Sequence, residues 1–195
     1  MHPTLQQNLF LVKEHVGFMK AANNFDVYDP ATGQIILECR EPNLGMFTKM
    51  LRFTDYKRMT PFDVRVTTPE GELVLSVRRG ISLWLSKVNV FDEEDERVGG
   101  FKQKLLSIGG AFRVLGADDQ PLCDLTGKWT AWDYKFEHNG IELARVTRKW
   151  TGLGKEFFTS ADNYVLSISD SVPPDNPVRI LIMAAVFCID MVLKE

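Results

Sequence analysis

Residues 177 to 195 read PVRILIMAAVFCIDMVLKE, and this stretch decides the fold of the chain. Pro177 suits the first turn of a helix, where its missing N–H removes no helical hydrogen bond. The run from Ile180 to Ile189 is apolar on every face, so it leaves no polar stripe for contact with solvent. A helix of this kind needs either a bilayer or the interior of a protein. A spanning helix has about 20 apolar residues, whereas a run of about ten is typical of a buried core helix.

We therefore expect a helix over residues 177–192 that forms the centre of the core. The alternative is a short or tilted C-terminal membrane anchor, in which side chains such as Phe187 and Ile189 face lipid. The side chains that we assign to the central helix are Ile180, Ile182, Met183, Val186, Phe187 and Ile189.

The sequence before the helix reads as strands separated by turns. Asp29-Pro30-Ala31-Thr32-Gly33 is a turn signal between two apolar runs, and Asn139-Gly140 is the sharpest hairpin signal in the chain. In the segment Phe62–Thr67, apolar and polar residues alternate, which buries one face of a strand and leaves the other face wet. The repetition of this form predicts about twelve strands over residues 8–170, mostly joined as hairpins.

An antiparallel sheet of this length tends to close, because closure removes exposed edges. A closed barrel of about twelve strands has an interior too wide for its own side chains to fill. The terminal helix is the apolar segment that fills it in our interpretation. The sequence thus predicts one all-β domain over residues 1–195, a closed antiparallel barrel of about twelve strands around a central apolar C-terminal helix.

Composition narrows the class of protein. With 45% hydrophobic and 25% charged residues, the chain has the make-up of a globular protein. A formal net charge of −3 argues against a general nucleic-acid binder, a class that usually carries a basic balance. Three scattered cysteines, Cys39, Cys123 and Cys188, fit a reducing compartment better than a disulfide framework. The N-terminal residues predict no signal peptide, so we expect a cytoplasmic protein.

The residues give little support for covalent catalysis. His2, His15 and His138 lie far apart in the sequence and have no metal-ligand spacing. No Ser/His/Asp or Cys/His arrangement is apparent, and no glycine-rich phosphate loop follows a strand. Gly99-Gly100 is more typical of a bulge or turn in a β protein. We predict no hydrolytic or redox activity and no firmly bound cofactor.

Several motifs resemble those of the phospholipid scramblase family. The segment WTGLGKEFFTSADNY, residues 150–164, is similar to that family's W-x-G…E-x-F-T-D-A-D-x-F segment, and AAVFCIDMVLKE is similar to its C-terminal helix. Pro61-Phe62, Gly99-Gly100 with Gln103, and Leu125-Thr126-Gly127 fall where the family has P-F, I-G-x-x-x-Q and I-x-G. The resemblance extends from Asn8 to Glu195.

The resemblance implies a fold and two kinds of function. The wider relatives are the tubby-like and plant LURP-one-related proteins, whose fold is a twelve-stranded barrel around a buried C-terminal helix. By resemblance, the protein binds phospholipids or moves them in both directions between membrane leaflets. The alternative is a tubby-like module that binds phosphoinositides or a protein partner without translocation. The implied partner is an anionic phospholipid or membrane surface, with peripheral or C-terminally anchored attachment.

The resemblance also implies a calcium site. The family's acidic segment corresponds here to Asp162, Asp170 and Asp175, the candidate calcium ligands. The alternative is that these acids are turn and cap residues beside the last strand. The acidic run Asp92–Glu96 is interpreted as a solvated hairpin turn.

Basic and aromatic residues are the candidate lipid contacts. Lysines and arginines grouped on a surface can hold anionic lipid, and tryptophan rings are favoured at a membrane interface. The alternatives are an ordinary wet strand face for the cations and a cap over the barrel core for the tryptophans. The candidates are Arg145, Arg148, Lys149, Trp129 and Trp132, with Arg78-Arg79, Lys102 and Lys104 on other strands.

Overall fold

The fold is that of a computed structural model, described over residues 1–15, 24–42, 61–80, 87–103, 111–128, 132–148 and 163–193. A short 3-10 turn (Pro3–Gln6) precedes the strands. The strands are β1 (Leu9–Glu14), β2 (Phe25–Tyr28), β3 (Ile35–Arg40), β4 (Phe62–Thr67), β5 (Leu73–Arg79), β6 (Lys87–Phe91), β7 (Arg97–Gln103), β8 (Phe112–Gly116), β9 (Pro121–Lys128), β10 (Asp133–His138), β11 (Ile141–Thr147) and β12 (Asn163–Ile168). One helix, α1 (Val178–Leu193), follows them.

The strands form a closed antiparallel barrel. Each strand pairs with its neighbours in the sequence, and β1 pairs with β12 to close the sheet. Alternation sets which residues face inward: in β4 the side chains of Phe62, Val64 and Val66 are buried, and the residues between them are more exposed. The predicted closed barrel of about twelve strands with a C-terminal helix is confirmed.

Helix α1 occupies the interior of the barrel. Every side chain from Ile180 to Ile189 is buried, and all ten belong to one core cluster with the inward side chains of the strands. The ring centroids of Phe187 in α1 and Phe25 in β2 are 5.4 Å apart. The helix is therefore buried in protein along its apolar length. Within the described residues, the structure contains no helix with both the length and the apolar character needed to cross a membrane.

The two ends of the barrel differ in their connections. At the turn end, which we define as the end where even-numbered strands finish, tight turns join β2 to β3, β4 to β5, β6 to β7, β8 to β9 and β10 to β11. At the mouth end, the even-numbered strands begin. Because β12 runs toward the turn end, α1 starts there and finishes at the mouth end.

Carboxylates are concentrated at the turn end. The hydrogen bond that Arg97 donates lowers the pKa of one of them, the Asp119 carboxyl. The others in the turns and in the segment before α1 are Asp29, Glu70, Glu72, Asp92, Glu93, Glu94, Asp95, Glu96, Asp118, Asp170 and Asp175.

Arg179 in the first turn of α1 links the N-terminal segment to the segment before α1 at the turn end of the barrel. Its side chain is buried, and it donates hydrogen bonds to backbone carbonyls on both sides of the chain closure. The carbonyl acceptors, at 2.7–3.3 Å, belong to Leu5, Gln6, Gln7, Val172 and Pro173. A further bond reaches Asn8 Oδ1 at 2.6 Å. Burial lowers the pKa of the Arg179 guanidinium, and Asp170 opposes that shift.

Gly99 is required by close approach of two backbones. It has a φ of 152° beside a register shift between β6 and β7, in which Val98 is the extra residue, so a bulge lies directly before Gly99-Gly100. A Cβ on Gly99 would lie 2.1 Å from the carbonyl oxygen of Leu115. We expect Gly99→Ala to lower the free energy of unfolding by about 2–4 kcal/mol, because the backbone of β7 or β8 must move. Thermal unfolding measures the effect as a fall in Tm of about 5–15 °C.

Gly80 provides the matched control for that substitution. It follows β5 at the mouth end, and a Cβ there would meet no atom of the described residues within 4 Å. Gly80→Ala should change the free energy of unfolding by no more than about 1 kcal/mol. Equal unfolding midpoints for the two variants would contradict the close packing at Gly99.

Candidate functional site

A group of aromatic rings surrounds one arginine at the mouth end. We call Trp132, Tyr134, Arg148 and Tyr164 the mouth cluster. The Cζ atom of Arg148 lies 4.1 Å from the centroid of the Trp132 ring and 5.4 Å from that of Tyr164. The Trp132 and Tyr164 rings stack with centroids 4.7 Å apart, and Tyr134 meets Trp132 edge-on at 6.2 Å. The cation therefore lies against the faces of two stacked rings.

Strand alternation brings these side chains together. Ala144 and Val146 of β11 are buried inside the barrel, and Arg148 continues the same side of the chain just beyond the strand. The Arg148 amide donates a 3.3 Å hydrogen bond to the Trp132 carbonyl. Opposite Tyr134, Gly127 of β9 leaves space for the ring, since a Cβ there would lie 2.5 Å from Tyr134 Cδ1. The mouth cluster thus lines the inner rim of the barrel.

Trp132 adopts a backbone conformation that large residues rarely adopt. Its φ is +46°, in the left-handed region, which costs an L-residue about 1–2 kcal/mol. Contacts with the rings and with Arg148 compensate for this strain. Trp132 also packs against the hydrophobic core cluster, so the ring is anchored to the barrel on one side.

Within the described parts of the chain, the charge of Arg148 has no counter-ion. No carboxylate of the described residues lies within ion-pair distance of its guanidinium, and its Nε is buried without a hydrogen-bond partner in that part of the chain. A cation over the face of Trp or Tyr gains about 0.5–2 kcal/mol from the ring, which only partly replaces lost hydration. An anion placed at the mouth would supply the missing partner.

Arg145 is in a different electrostatic state. It lies on the outer face of β11, and its Nε and Nη2 donate to the two carboxylate oxygens of Asp133 at 2.7 and 2.6 Å. These hydrogen bonds raise the pKa of the Arg145 guanidinium. Arg145 and Arg148 were both candidates for lipid contact, but the strand places them on opposite faces. The other two candidates, Lys149 and Trp129, lie outside the described residues.

The remaining predicted arginines are also separated. Arg78 lies on the outer wall, 2.5 Å from Asp95, with its guanidinium over the ring of Phe91 at 4.4 Å. Arg79 is buried inside the barrel, with its guanidinium 4.7 Å from the centroid of Phe62. The predicted arginines therefore do not form one continuous patch over the described surface.

The candidate calcium ligands are only partly described. Asp170 is exposed, its Oδ1 accepts a 2.6 Å hydrogen bond from Asn8, and it lines a surface cleft of about 410 Å³ with Glu142. Asp175 is exposed in the segment before α1, and Asp162 lies outside the described residues. Over the described parts of the chain, no group of three or more His, Cys, Asp or Glu side chains is placed to hold a metal ion. Calcium needs six to eight oxygen ligands, so the described residues alone do not fit the ion.

The three cysteines are free and buried. Burial raises the pKa of the Cys123 thiol to about 12 and raises those of Cys39 and Cys188 as well. The thiols are therefore protonated at neutral pH and have little nucleophilic character.

Sequence reasoning did not include Tyr134 and Tyr164 in the site. A signal was available in the parity of the strands, because Tyr164 is two residues before the buried Leu166, and Tyr134 is two before the buried Phe136. The same parity places Arg148 inward after Val146. Such a signal places side chains on a face but does not show which strand ends meet.

Two comparisons with known proteins bear on the family and on the fold. A family model described as Scramblase matches residues 5–195. The X-ray structure of a protein from Arabidopsis thaliana has a TM-score of 0.55 and 14% sequence identity, covering 95% of this chain and 92% of that one. At this identity the plant structure shows a similar fold only.

Proposed function

The chain belongs to the scramblase family, and from this premise we propose that it binds anionic phospholipid at a membrane surface through the mouth cluster. In this proposal Arg148 bonds a lipid phosphate, and the rings of Trp132 and Tyr164 hold the guanidinium in place. Family membership supports a lipid-related kind of function. The mouth cluster supports the particular site.

The observation that carries the proposal is the ring-stacked Arg148, whose guanidinium has no ion-pair partner among the described residues. An arginine presents several N–H donors that match phosphate oxygens, and it is the usual residue for phosphate recognition. Stacking on Trp132 at 4.1 Å restricts its rotamers before a ligand arrives, which lowers the entropy cost of binding. Tryptophan is also favoured at the depth of lipid head groups. These properties suit a phosphate group presented by a bilayer.

Translocation is a further step that the proposal does not require. Moving a head group between leaflets needs a polar path through about 30 Å of hydrocarbon. A reconstituted assay with fluorescently labelled lipid in liposomes tests that step separately. A purely protein-binding module, the alternative of the sequence analysis, would show neither binding to vesicles nor lipid movement.

Removing the charge of Arg148 tests the proposed site. We expect Arg148→Gln to lower the partition coefficient on vesicles of phosphatidylcholine with phosphatidylserine by about fivefold or more, since one cation near such a surface contributes about 1 kcal/mol. Co-sedimentation at low and high salt measures this, and high salt should weaken wild-type binding.

Arg145→Gln is the matched control, because it removes the same charge only three residues away in the sequence. Arg145 faces outward and is already paired with Asp133, so its loss should change binding by less than about twofold. Thermal unfolding of both variants verifies that the fold is intact. The proposed site would be refuted if wild-type binding did not depend on phosphatidylserine. It would also be refuted if the Arg148→Gln variant bound vesicles like wild type.

A further inference from the structure

Three cations stand side by side on the outer wall of the barrel. Lys87 of β6 is the cross-strand partner of Lys102 in β7, and Lys102 is the partner of Arg113 in β8. All three are exposed, and each alternates with buried neighbours such as Val88 and Phe101. We call them the cation row. The row becomes visible only when the register of three strands is known.

The cation row is unfavourable for the folded barrel by itself. Like charges directly opposite on neighbouring strands destabilise a sheet, and here two such pairs share one central residue. The outer members are partly compensated: Lys87 Nζ lies 3.4 Å from Asp119, and Arg113 Nε lies 3.6 Å from Asp124. Lys102 has no carboxylate of the described residues within ion-pair distance. A position that costs stability and keeps an uncompensated charge suits an anionic partner.

The row lies in the half of the barrel nearer the mouth end. Lys87 is the first residue of β6, Lys102 the penultimate residue of β7, and Arg113 the second residue of β8. Of the turn-end carboxylates, Asp119 reaches the row, because it lies 3.4 Å from Lys87 Nζ, and it is shared with Arg97. Lys102, at the centre of the row, has no such contact among the described residues. An anionic bilayer would be repelled by the turn end and attracted to the mouth half.

We propose that the cation row is a second contact with an anionic bilayer, made on the outer wall while Arg148 contacts lipid at the inner rim. This inference rests on the proposed function. The partner is the bilayer surface, because Lys102 is an exposed charge on the outer wall of the barrel. With both contacts made, the mouth end faces the membrane and the turn end faces away.

The test is charge reversal at the centre of the row. We expect Lys102→Glu to lower the partition coefficient on phosphatidylserine-containing vesicles by about 10–30-fold at 0.1 M salt, since the reversal removes one attraction and adds one repulsion. The same substitution relieves both like-charge pairs, so Tm should stay the same or rise. A fall in binding together with an unchanged or raised Tm cannot come from misfolding.

Lys135→Glu is the control for net charge. Lys135 is a partly exposed residue of β10 that pairs with Glu142 at 3.3 Å, and its reversal changes the net charge by the same amount. Binding should fall by less than about threefold, because the substitution lies outside the row. Equal losses for Lys102→Glu and Lys135→Glu would overturn the proposal. If Lys102→Glu lowers Tm, the test uses Lys102→Gln instead. We expect that variant to lower the partition coefficient by about three- to fivefold.

The outcomes separate the two proposals. If Arg148→Gln binds weakly and Lys102→Glu binds like wild type, the cation row is overturned and the mouth cluster stands. If the wild-type chain does not bind phosphatidylserine vesicles, both are overturned. If Arg148→Gln and Lys102→Glu both bind the vesicles weakly while Lys135→Glu retains binding, the result supports two separate contacts.

Discussion

Replacing Ala184 by Asp is expected to give a chain that does not fold. Ala184 lies at the middle of α1 and is completely buried among apolar side chains. A carboxylate there loses its hydration without gaining a partner, and its extra atoms overfill a packed core. Together these costs amount to about 5 kcal/mol or more, comparable with the whole stability of a typical domain. The measurement is the yield of soluble protein and, for any soluble fraction, the thermal unfolding transition.

Val178→Asp on the same helix separates burial from the mere presence of a charge. Val178 is half-buried in the first turn of α1, and its amide donates a 2.9 Å hydrogen bond to Asn176 Oδ1. A carboxylate near a helix N-terminus is favoured by the helix dipole, so this variant should lose no more than about 1–2 kcal/mol. A folded, soluble Ala184→Asp protein with a normal transition would show that the helix does not fill the barrel.

The second large effect is expected for Arg179→Ala. The substitution removes the guanidinium donor from the carbonyls of Leu5, Gln6, Gln7, Val172 and Pro173, and it opens a cavity at the turn end. The Pro173 carbonyl keeps a 3.1 Å bond from the Asn176 amide. Each buried polar group without a partner costs about 1–3 kcal/mol, although water reaching the carbonyls would reduce the sum. We expect a loss of about 3–5 kcal/mol in the free energy of unfolding, seen as a fall in Tm of about 10 °C or more.

Two further arginine variants serve as controls for Arg179→Ala. Arg145→Ala removes a half-exposed arginine with one carboxylate partner and should cost no more than about 1 kcal/mol. Arg179→Lys keeps the charge but cannot present donors in several directions from one planar group, so most of the loss should remain. A change in Tm of only 2–3 °C corresponds to a loss of about 1 kcal/mol in the free energy of unfolding. Such a small change for Arg179→Ala would show that water can replace the buried hydrogen bonds.

The barrel and its helix were predictable because hydrophobic pattern alone specifies them. Alternation in Phe62–Thr67 and the uniform apolar run of Ile180–Ile189 each have only a few physical solutions. Arg179 was not predictable in its role, since its acceptors are backbone carbonyls, which leave no trace in the sequence. Three of these acceptors, Leu5, Gln6 and Gln7, also lie more than 160 residues away at the start of the chain.

The candidate site was predictable by residue type but not by arrangement. Arg148 and Trp132 were both identified as lipid contacts, and the structure brings them to 4.1 Å, a contact that depends on where two strands end. Arg145 was grouped with Arg148 because they are close in sequence. Their three-residue spacing places them on opposite faces, and Asp133 meets Arg145 across a hairpin whose register shifts after Phe136. The cation row depends in the same way on the register of β6, β7 and β8.

The position of α1 in the chain has a consequence for biosynthesis. All twelve strands are synthesised before the helix that fills the barrel. Until then the inward side chains, from Phe10 in β1 to Leu166 in β12, have no core to pack against, and β1 closes onto β12 only when both are present. Apolar strand faces exposed during synthesis promote association between chains. We therefore expect the nascent chain to depend on chaperones, or on rapid completion, more than a chain whose core forms early in synthesis.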